Sequence, residues 1–267
     1  EILSFSRPGT ITLLSTNGKI IQKLGPATRE KVNQKEIPQL VKNAFIAAED
    51  RRFYKHNGID MWGIIRAIKQ NLNERSIEEG ASTITQQLAR IVFLNQSKTI
   101  TRKIKEAALA LKIERQLSKE KILAQYLNNV YLGSSAYGIS DAAWVYYSKT
   151  PKLLTLPEVA LIAGLAPAPS LYSPLVNPEL SLQRRAAVLQ RMYLEGYISK
   201  AELSESTNSS LNLNPATPKY FNSVAPFFSS WALKQLPLYL TAEQLEIGGL
   251  KIHTSINLSW QTKAKQI

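Results

Sequence analysis

Apolar residues recur at helical spacing in one segment after another between Pro38 and Glu195. Prolines and small polar residues open these segments, and short breaks rich in glycine, proline or charged residues separate them. The clearest segment runs from Thr99 to Leu117. Its apolar positions predict the side that faces the core: Ile104, Ala108, Leu111 and Ile113. The chain is therefore predicted to be mainly α-helical over this region.

The two ends of the chain carry a different pattern. Residues 10–24 hold two apolar runs on either side of Asn17-Gly18, a strong hairpin signal, and residues 249–256 have the composition of a further strand. Residues 207–219 are rich in Ser, Asn and Pro and are predicted to be a linker. We expect a hairpin and connector over residues 1–34, a helical domain over 35–206, and a linker with the start of another module over 207–267.

The charge of the chain restricts its partners. Its 267 residues carry a formal net charge of +13, which favours nucleic acid, anionic lipid or a phosphorylated substrate. The chain has no cysteine, so disulfides and zinc–thiolate sites are excluded. It has no uninterrupted apolar run of about 18 residues and no recognisable signal peptide. We expect any membrane anchor to lie in a part of a longer protein that this chain does not include.

Two adjacent carboxylates, Glu49 and Asp50, follow the apolar run of residues 44–48. A carboxylate at the end of a buried helix is desolvated on one side and faces a cleft on the other. This placement raises its pKa and suits a general base. The alternative is a helix that ends in ordinary solvated charges, because a perturbed acid is only a statistical indicator of function.

Two further polar groups stand in the helical region. Residues 80–87, GASTITQQ, begin a helix that Ser82 is expected to cap, and free N–H groups at such a helix start also suit an anion. Arg102, Lys103 and Lys105 surround Glu106 on the next helix. This cluster is either a set of intrahelical ion pairs on a solvated surface or an anion-binding patch that holds a carboxylate.

In their order and spacing these motifs resemble the peptidoglycan glycosyltransferase domain of family 51. That domain forms the N-terminal half of class A penicillin-binding proteins and also occurs as monofunctional enzymes. The resemblance covers roughly residues 35–200, and residues 249–256 resemble the linker to the transpeptidase domain of bifunctional members. The matching positions are Glu49-Asp50, Phe53, His56 and Gly58; Gly80 and residues 82–87; Arg102, Lys103 and Glu106; residues 121–123 and 126–128; and Tyr137-Gly138 onward to Ala163-Gly164-Leu165. Two positions depart from the family pattern, since Arg90 replaces a usual lysine and Ala124 a usual glutamate.

The resemblance implies a mainly α, lysozyme-like domain with a mobile, membrane-associated lobe. Met61 to about Asn73 is predicted to form a helix. Its apolar face either packs in the core or, as the position of the lobe in family members implies, contacts the membrane. The implied reaction polymerises lipid II into β-1,4 glycan strands, with inversion at the anomeric carbon and release of undecaprenyl pyrophosphate. Implied partners are lipid II, the growing glycan chain, the outer face of the bacterial cell membrane and phosphoglycolipid inhibitors of the moenomycin type. Nucleic acid is not an expected partner. No cofactor is obligatory, although Mg²⁺ or Mn²⁺ at the leaving group is compatible with the family.

The resemblance also implies roles for individual residues. Glu49 is the expected general base, and Asp50 beside it is expected to hold a lysine, an arginine or a substrate hydroxyl. Glu106 is expected to position cations or a divalent metal at the pyrophosphate. The expected cations are Arg90, Arg102 and Lys103, with Lys105 and Lys121. Other substrate-binding groups are expected at Ser82, Thr83, Gln86, Gln87 and Asn128, and structural roles within the motifs at Phe53, His56, Gly58, Gly80 and Tyr126.

Three other functions fit parts of the sequence. A nucleic-acid-binding module would explain the charge, but no basic stripe alternates with aromatic residues as single-strand platforms require. A lysozyme-like hydrolase also uses a glutamate at a helix end, but it has no pyrophosphate to neutralise, which leaves the cation cluster without a purpose. A catalytically inactive cell-wall scaffold is disfavoured by the intact Glu49 and Glu106.

Overall fold

The structure is a computed structural model that describes residues 11–24, 31–63, 65, 82–93, 99–134, 136–216, 223–241, 244 and 250–264. Helices dominate these ranges, which confirms the predicted mainly α class. The strands are β1 Ile11–Leu14, β2 Ile20–Leu24 and β3 Leu250–His253. The helices are α1 Gln39–Glu49, α2 Ile84–Phe93, α3 Ile100–Gln116, α4 Lys119–Asn129, α5 Ile139–Tyr147, α6 Leu156–Leu165, α7 Pro169–Tyr172, α8 Pro178–Leu194, α9 Lys200–Asn208, α10 Pro226–Gln235 and α11 Leu258–Ala264.

Helix α6 is the centre of the helical core. Its sequence, LPEVALIAGL, is apolar around the whole circumference, and such a helix is stable only when other helices surround it. Helices α1 and α8 pack against it and against each other. Its first turn is closed by a capping box between Thr155 and Glu158, so the central helix has a fixed start. Helix α1, which ends at Glu49, is thereby held on two sides.

The predicted hairpin is confirmed, and a distant strand extends it. Strands β1 and β2 pair antiparallel, and Gly18 supplies the positive φ of the turn between them. Strand β3 lies parallel to β1, with Ile11 opposite Leu250 and Leu14 opposite His253. Strands from near the two ends of the chain therefore form one sheet of order β2-β1-β3. The predicted division placed residues 1–34 and 207–267 in separate parts of the molecule and did not include this pairing. This sheet has its own small core, formed by Leu13, Ile21, Ala225, Ala232 and Ile256.

The expected core side of α3 is wrong for three of its four residues. Ile104 is 65% exposed, and Ala108 and Leu111 are exposed as well, whereas Ile113 is buried as expected. The face of α3 that packs inward instead carries Glu106 and Ala110 with Ile113. The periodicity correctly identified an apolar stripe, but that stripe lies opposite the face that contacts the neighbouring helices. A carboxylate occupies the inward face, which apolar spacing does not predict.

The predicted helix from Met61 to Asn73 lies mostly outside the described residues. Residues 61–63 and 65 are helical. Met61, Trp62 and Ile65 are all more than half exposed, so these three side chains are not part of the core. Gly80 also lies outside the described residues. Across the ranges that the structure covers, no helix has both the length and the apolar content needed to cross a bilayer.

Candidate active site

Glu49 is the last residue of α1, and its carboxylate has two unlike oxygens. The preceding residues 44–48 are buried and carry the helix end into the core. Oε2 accepts a hydrogen bond of 2.8 Å from Nε2 of Gln87. Oε1 is shielded from solvent and has no hydrogen-bond partner among the described residues. A carboxylate with one oxygen fixed and the other unsatisfied can accept a proton from a bound hydroxyl group.

Burial raises the pKa of Glu49, because removing the carboxylate from water penalises its charged form. The hydrogen bond from Gln87 and the positive charges of Arg184, Arg191 and Arg90 act in the opposite direction and lower the pKa. The predicted desolvation of this carboxylate is thus present. Of the three arginines that lower the pKa of Glu49, the sequence motifs identified Arg90 but not Arg184 or Arg191.

Arg184 and Arg191 were missed as neighbours of Glu49. Both lie on α8, and their spacing of seven residues places them on the same helix face. Nη1 of Arg191 donates a 2.7 Å hydrogen bond to the carbonyl of Ala48, directly before Glu49. The signal that could have found them was this pair of arginines at two-turn spacing on a helix of mixed composition.

Gln87 connects Glu49 to a buried tyrosine on another helix. Its Oε1 accepts a 3.1 Å hydrogen bond from the hydroxyl of Tyr126, while its Nε2 donates to Glu49. Tyr126 lies on α4 and is fully buried, with its ring edge against the ring of Phe45 on α1. Both ends of the Gln87 amide are therefore occupied within the protein.

Asp50 is bonded to the backbone and to a histidine rather than to the expected lysine or arginine. Its Oδ2 accepts from the backbone N–H of Ile84 at 3.0 Å, and both carboxylate oxygens lie 3.0 Å from Nε2 of His56. The N–H of Gly58 donates to Nδ1 of His56, so Nε2 carries the hydrogen that is donated to Asp50. Asp50 is buried and joins the end of α1 to the start of α2.

Thr83, rather than Ser82, caps helix α2. The Thr83 hydroxyl accepts from the Gln86 N–H at 3.1 Å, and the Gln86 side chain accepts from the Thr83 N–H at 3.0 Å. This reciprocal pair is a capping box. Thr83 also donates to the carbonyl of Gly58 at 2.6 Å. The side chains of Thr83 and Gln86, both expected to bind sugar or phosphate, are buried and used within the protein.

Glu106 is completely buried and holds two cations. Its Oε1 lies 3.2 Å from Nε of Arg102, and its Oε2 lies 3.2 Å from Nζ of Lys103. Nζ of Lys103 also donates to the Ser82 hydroxyl at 2.6 Å. A buried carboxylate needs such partners, because an uncompensated buried charge is strongly destabilising. The cluster therefore fixes two cations beside the start of α2. Two cations and one carboxylate give the cluster a net charge of +1.

Four predicted substrate-binding residues remain: Lys105, Lys121, Asn128 and Arg90. Lys105 is exposed on α3, and Lys121 is exposed on α4, on a different face from Tyr126. Asn128 pairs with the backbone of Val32 through two hydrogen bonds of 2.9 Å, so it fastens the connector before α1 rather than facing a ligand. Arg90 lies on α2 and is half-buried.

Two of the expected structural residues have clear roles. Phe53 is fully buried, and Nζ of Lys119 lies 4.4 Å from the centre of its ring. Gly58 has a φ of +97°, and a Cβ atom there would come within 2.9 Å of the backbone of Ala110. Only glycine fits both the dihedral angle and the close approach to α3.

Metal-ligating side chains are not clustered among the described residues. No group of three or more His, Asp or Glu side chains converges in the part of the chain that the structure describes. Glu106, which was expected to hold either cations or a divalent metal, has one cation at each of its oxygens.

Comparisons with known proteins identify the family. A family sequence profile described as Transglycosylase matches residues 17–193. Penicillin-binding protein 1A of Aquifex aeolicus (strain VF5) is 43% identical over 266 residues, which cover 98% of this chain and 36% of that protein. Penicillin-binding protein 1A of Neisseria lactamica is 40% identical over 256 residues, which cover 96% of this chain and 32% of that protein. The chain thus spans about a third of the length of these relatives.

Among solved structures, the crystal structure of penicillin-binding protein 1A from Haemophilus influenzae matches with 22% identity and a TM-score of 0.48, covering 98% of this chain and 29% of that one. The Transglycosylase profile covers more than half of the chain. This chain belongs to the transglycosylase family and is a glycosyltransferase.

Proposed function

We propose that this domain polymerises lipid II into β-1,4 glycan strands and that Glu49 is the general base. The observation that carries the proposal is the asymmetric carboxylate of Glu49, with Oε2 held by Gln87 and Oε1 buried without a partner among the described residues. Burial raises the pKa of Glu49, which makes its carboxylate a stronger base than an ordinary glutamate.

In the proposed step, Oε1 of Glu49 accepts the proton of the 4-hydroxyl group of an acceptor sugar. The hydroxyl oxygen forms a bond to C1 of the donor MurNAc, and the bond from C1 to the pyrophosphate oxygen breaks. Undecaprenyl pyrophosphate leaves with the bonding electrons. Attack from the face opposite the leaving group inverts the configuration at C1, as expected for a single displacement.

Arg102 and Lys103 are proposed to stabilise the charge of the leaving pyrophosphate. A phosphate leaving group needs positive charge rather than a strong acid, and preorganised cations require little rearrangement during the reaction. Glu106 holds both cations at 3.2 Å. Lys103 also contacts Ser82, which lies two residues before the start of α2, the helix that carries Gln87. The start of α2 therefore links the cation cluster to the residue that contacts Glu49.

A membrane surface is the proposed location of the reaction, at the outer face of the bacterial cell membrane. Met61, Trp62 and Ile65 are exposed, as are Ile100 and Ile104 on α3. Exposed bulky apolar groups beside cations suit the boundary between acyl chains and anionic headgroups. We expect Trp62→Ser combined with Ile65→Ser to weaken flotation with anionic liposomes while the circular dichroism spectrum is unchanged. Loss of the helical signal would assign these side chains to the core instead.

The test of the reaction is polymerisation of labelled lipid II, followed by separation of the glycan products by size. Glu49→Gln preserves shape and hydrogen bonding but cannot take the proton, so the rate should fall by at least about a hundredfold. Glu120→Gln is the matched control, since it neutralises a carboxylate that pairs with Lys42 away from Glu49. A Glu49→Gln variant that polymerises at the wild-type rate would exclude Glu49 as the base.

The same assay separates polymerisation from hydrolysis. A glycosyltransferase converts lipid II into long products that lysozyme digests, whereas a hydrolase shortens added glycan strands and forms none. An inhibitor of the moenomycin type should block polymerisation, and the rate with and without EDTA shows whether the reaction uses a divalent cation. The presence of Arg102 and Lys103 beside a buried carboxylate favours the first outcome, because hydrolysis of a glycan releases no pyrophosphate.

A further inference from the structure

We propose that Tyr126 is a positioning residue that keeps the Gln87 amide in the orientation in which it donates to Glu49. By doing so it favours the ionised, proton-accepting form of Glu49. The inference rests on the proposed function in one respect only, namely that the ionised form of Glu49 is the one used in the reaction. Tyr126 itself does not touch the reacting atoms.

The contacts form an unbranched chain of three residues from three helices. The Tyr126 hydroxyl donates to Oε1 of Gln87 at 3.1 Å, and Nε2 of Gln87 donates to Oε2 of Glu49 at 2.8 Å. Tyr126 is fully buried and Gln87 is buried, so water does not compete freely for these groups. The Tyr126 ring meets Phe45 edge to face, with 6.2 Å between centroids, and Phe45 lies one turn before Glu49 on α1.

The amide of Gln87 can adopt two orientations, and the position of a proton on Glu49 decides between them. When Glu49 is ionised, or protonated on Oε1, the amide NH₂ group faces Oε2 and the amide oxygen accepts from Tyr126. A proton on Oε2 makes that oxygen a donor to the amide oxygen, which requires the amide to turn over. The NH₂ group then faces the Tyr126 oxygen, and the Tyr126 hydrogen loses its acceptor.

A buried hydroxyl hydrogen without an acceptor is costly. The Tyr126 hydroxyl donates to Gln87, so the turned-over amide takes away this donor contact. The hydroxyl of Tyr126 therefore disfavours the turned-over amide and protonation of Glu49 at Oε2. Gln87 then keeps donating to Glu49, and a hydrogen bond to the charged form favours the ionised carboxylate. A phenylalanine at this position would have no such preference.

Other charged groups act on Glu49 from the surrounding helices and must be kept constant in a test. Arg184 and Arg191 face it from α8 and Arg90 from α2, while Asp50 follows it in the chain. Tyr126 remains a neutral donor throughout, because burial and the nearby Glu49 raise its own pKa well above the usual value. Removing the Tyr126 hydroxyl changes none of the charges.

The experiment follows the carboxyl carbon of Glu49 by ¹³C NMR during a pH titration, with Glu49→Gln used to assign the signal. This readout does not depend on catalysis. Tyr126→Phe should move the titration of Glu49 to higher pH. The acid limb of the polymerisation rate should move with it, so that the rate on that limb falls about three- to tenfold, the size expected for one hydrogen bond.

The second part of the experiment uses Gln87→Met, which removes the amide through which Tyr126 acts. Adding Tyr126→Phe to Gln87→Met should cause no additional change, since coupled residues are not additive. Tyr146→Phe is the matched control, because Tyr146 is a buried tyrosine that donates to the Leu132 carbonyl at 2.8 Å. It should lower stability without moving the titration of Glu49.

A third variant covers the case in which Tyr126→Phe does not fold. Tyr126→3-fluorotyrosine keeps the ring and strengthens the hydroxyl as a donor, so the titration of Glu49 should move to lower pH. The proposal is overturned if Tyr126→Phe leaves the titration in place, or if its effect persists in the Gln87→Met background. It is also overturned if the fluorinated variant shifts the titration upward. Should Glu49→Gln remain active, the proposed base would fail while the NMR titration still decides the role of Tyr126.

Discussion

At the scale of single residues, Glu49 combines a stability cost with a proposed catalytic use. Its carboxylate is desolvated, and Oε1 lacks a partner among the described residues, so the ionised group is not fully compensated. Natural proteins retain such uncompensated groups where the chemistry needs them. The surrounding arginines and Gln87 reduce the penalty but leave the pKa of Glu49 above its ordinary value.

The raised pKa of Glu49 predicts how stability depends on pH. In the folded state Glu49 binds its proton more tightly than in the unfolded state, so stability falls as pH rises from the ordinary glutamate range through the folded pKa. Glu49→Gln removes this dependence. We expect the variant to melt about 2–4 °C higher than the wild type at neutral pH.

The difference in melting temperature should shrink toward pH 4, where glutamate is protonated in both states. Calorimetry from pH 4 to pH 8 measures it. A melting temperature below that of the wild type at pH 7 would mean that the ionised carboxylate stabilises the fold through contacts that the amide cannot replace.

The sequence indicated that Glu49 ends a buried helix, but it did not indicate the surroundings of Glu49. A carboxylate at the end of an apolar helical run is visible in the local pattern, and so is the cation cluster around Glu106. The hydrogen bonds of Asp50 to His56 and Ile84, and those of Asn128 to Val32, are not visible in that pattern. Residue type alone does not tell whether such a polar side chain binds a ligand or fastens the fold.

At the scale of elements, Gly58 fixes how the loop after α1 meets α3 and the start of α2. Its φ of +97° and its contact with the Ala110 backbone exclude a side chain, and its carbonyl accepts from Thr83. The carbonyl and the amide of Gly58 both take part in hydrogen bonds, the amide with His56. The position of Gln87 on α2 therefore depends on this glycine.

Gly58→Ala should lower the free energy of unfolding by about 2 kcal/mol or more, because it combines a strained φ with a backbone clash. Gly196→Ala is the matched control. Gly196 has a φ of +73°, and a Cβ atom there would meet nothing within 4 Å, so strain alone should cost about 1 kcal/mol. Urea denaturation of both variants gives the comparison. Equal losses would show that the approach to Ala110 is not a constraint.

Element types were predictable from the sequence, whereas the orientation of one element was not. The helices around Glu49 follow from apolar spacing and from Pro and Ser signals at their starts. On α3 the same spacing indicated the wrong inward face, because Ile104 and Leu111 form an exposed stripe while Glu106 is inside. Apolar periodicity shows on which face of a helix the apolar side chains lie. It does not show whether the protein core or another apolar environment covers that face.

At the scale of the whole molecule, the described chain has two hydrophobic cores. The large one surrounds α6, and the small one lies under the sheet that β1, β2 and β3 form. The Thr254 side chain donates to the Leu14 carbonyl across 240 positions of sequence. Closing so long a loop is entropically costly, and short strands carry no local signal of a distant partner. The sequence therefore predicted the hairpin of β1 and β2 and the strand β3, but not the pairing of β3 with β1.

The two hydrophobic cores are expected to unfold independently. Leu13 is fully buried in the small core, so Leu13→Ala should destabilise that core by about 2–5 kcal/mol. Because the strands share one sheet, amide hydrogen exchange should accelerate together in β1, β2 and β3 while the amides of α6 keep their protection. Leu161→Ala, at a fully buried position of α6, is the matched control and should accelerate exchange in the helical core. Equal acceleration in the sheet and in α6 after Leu13→Ala would show that the two cores unfold as one cooperative unit.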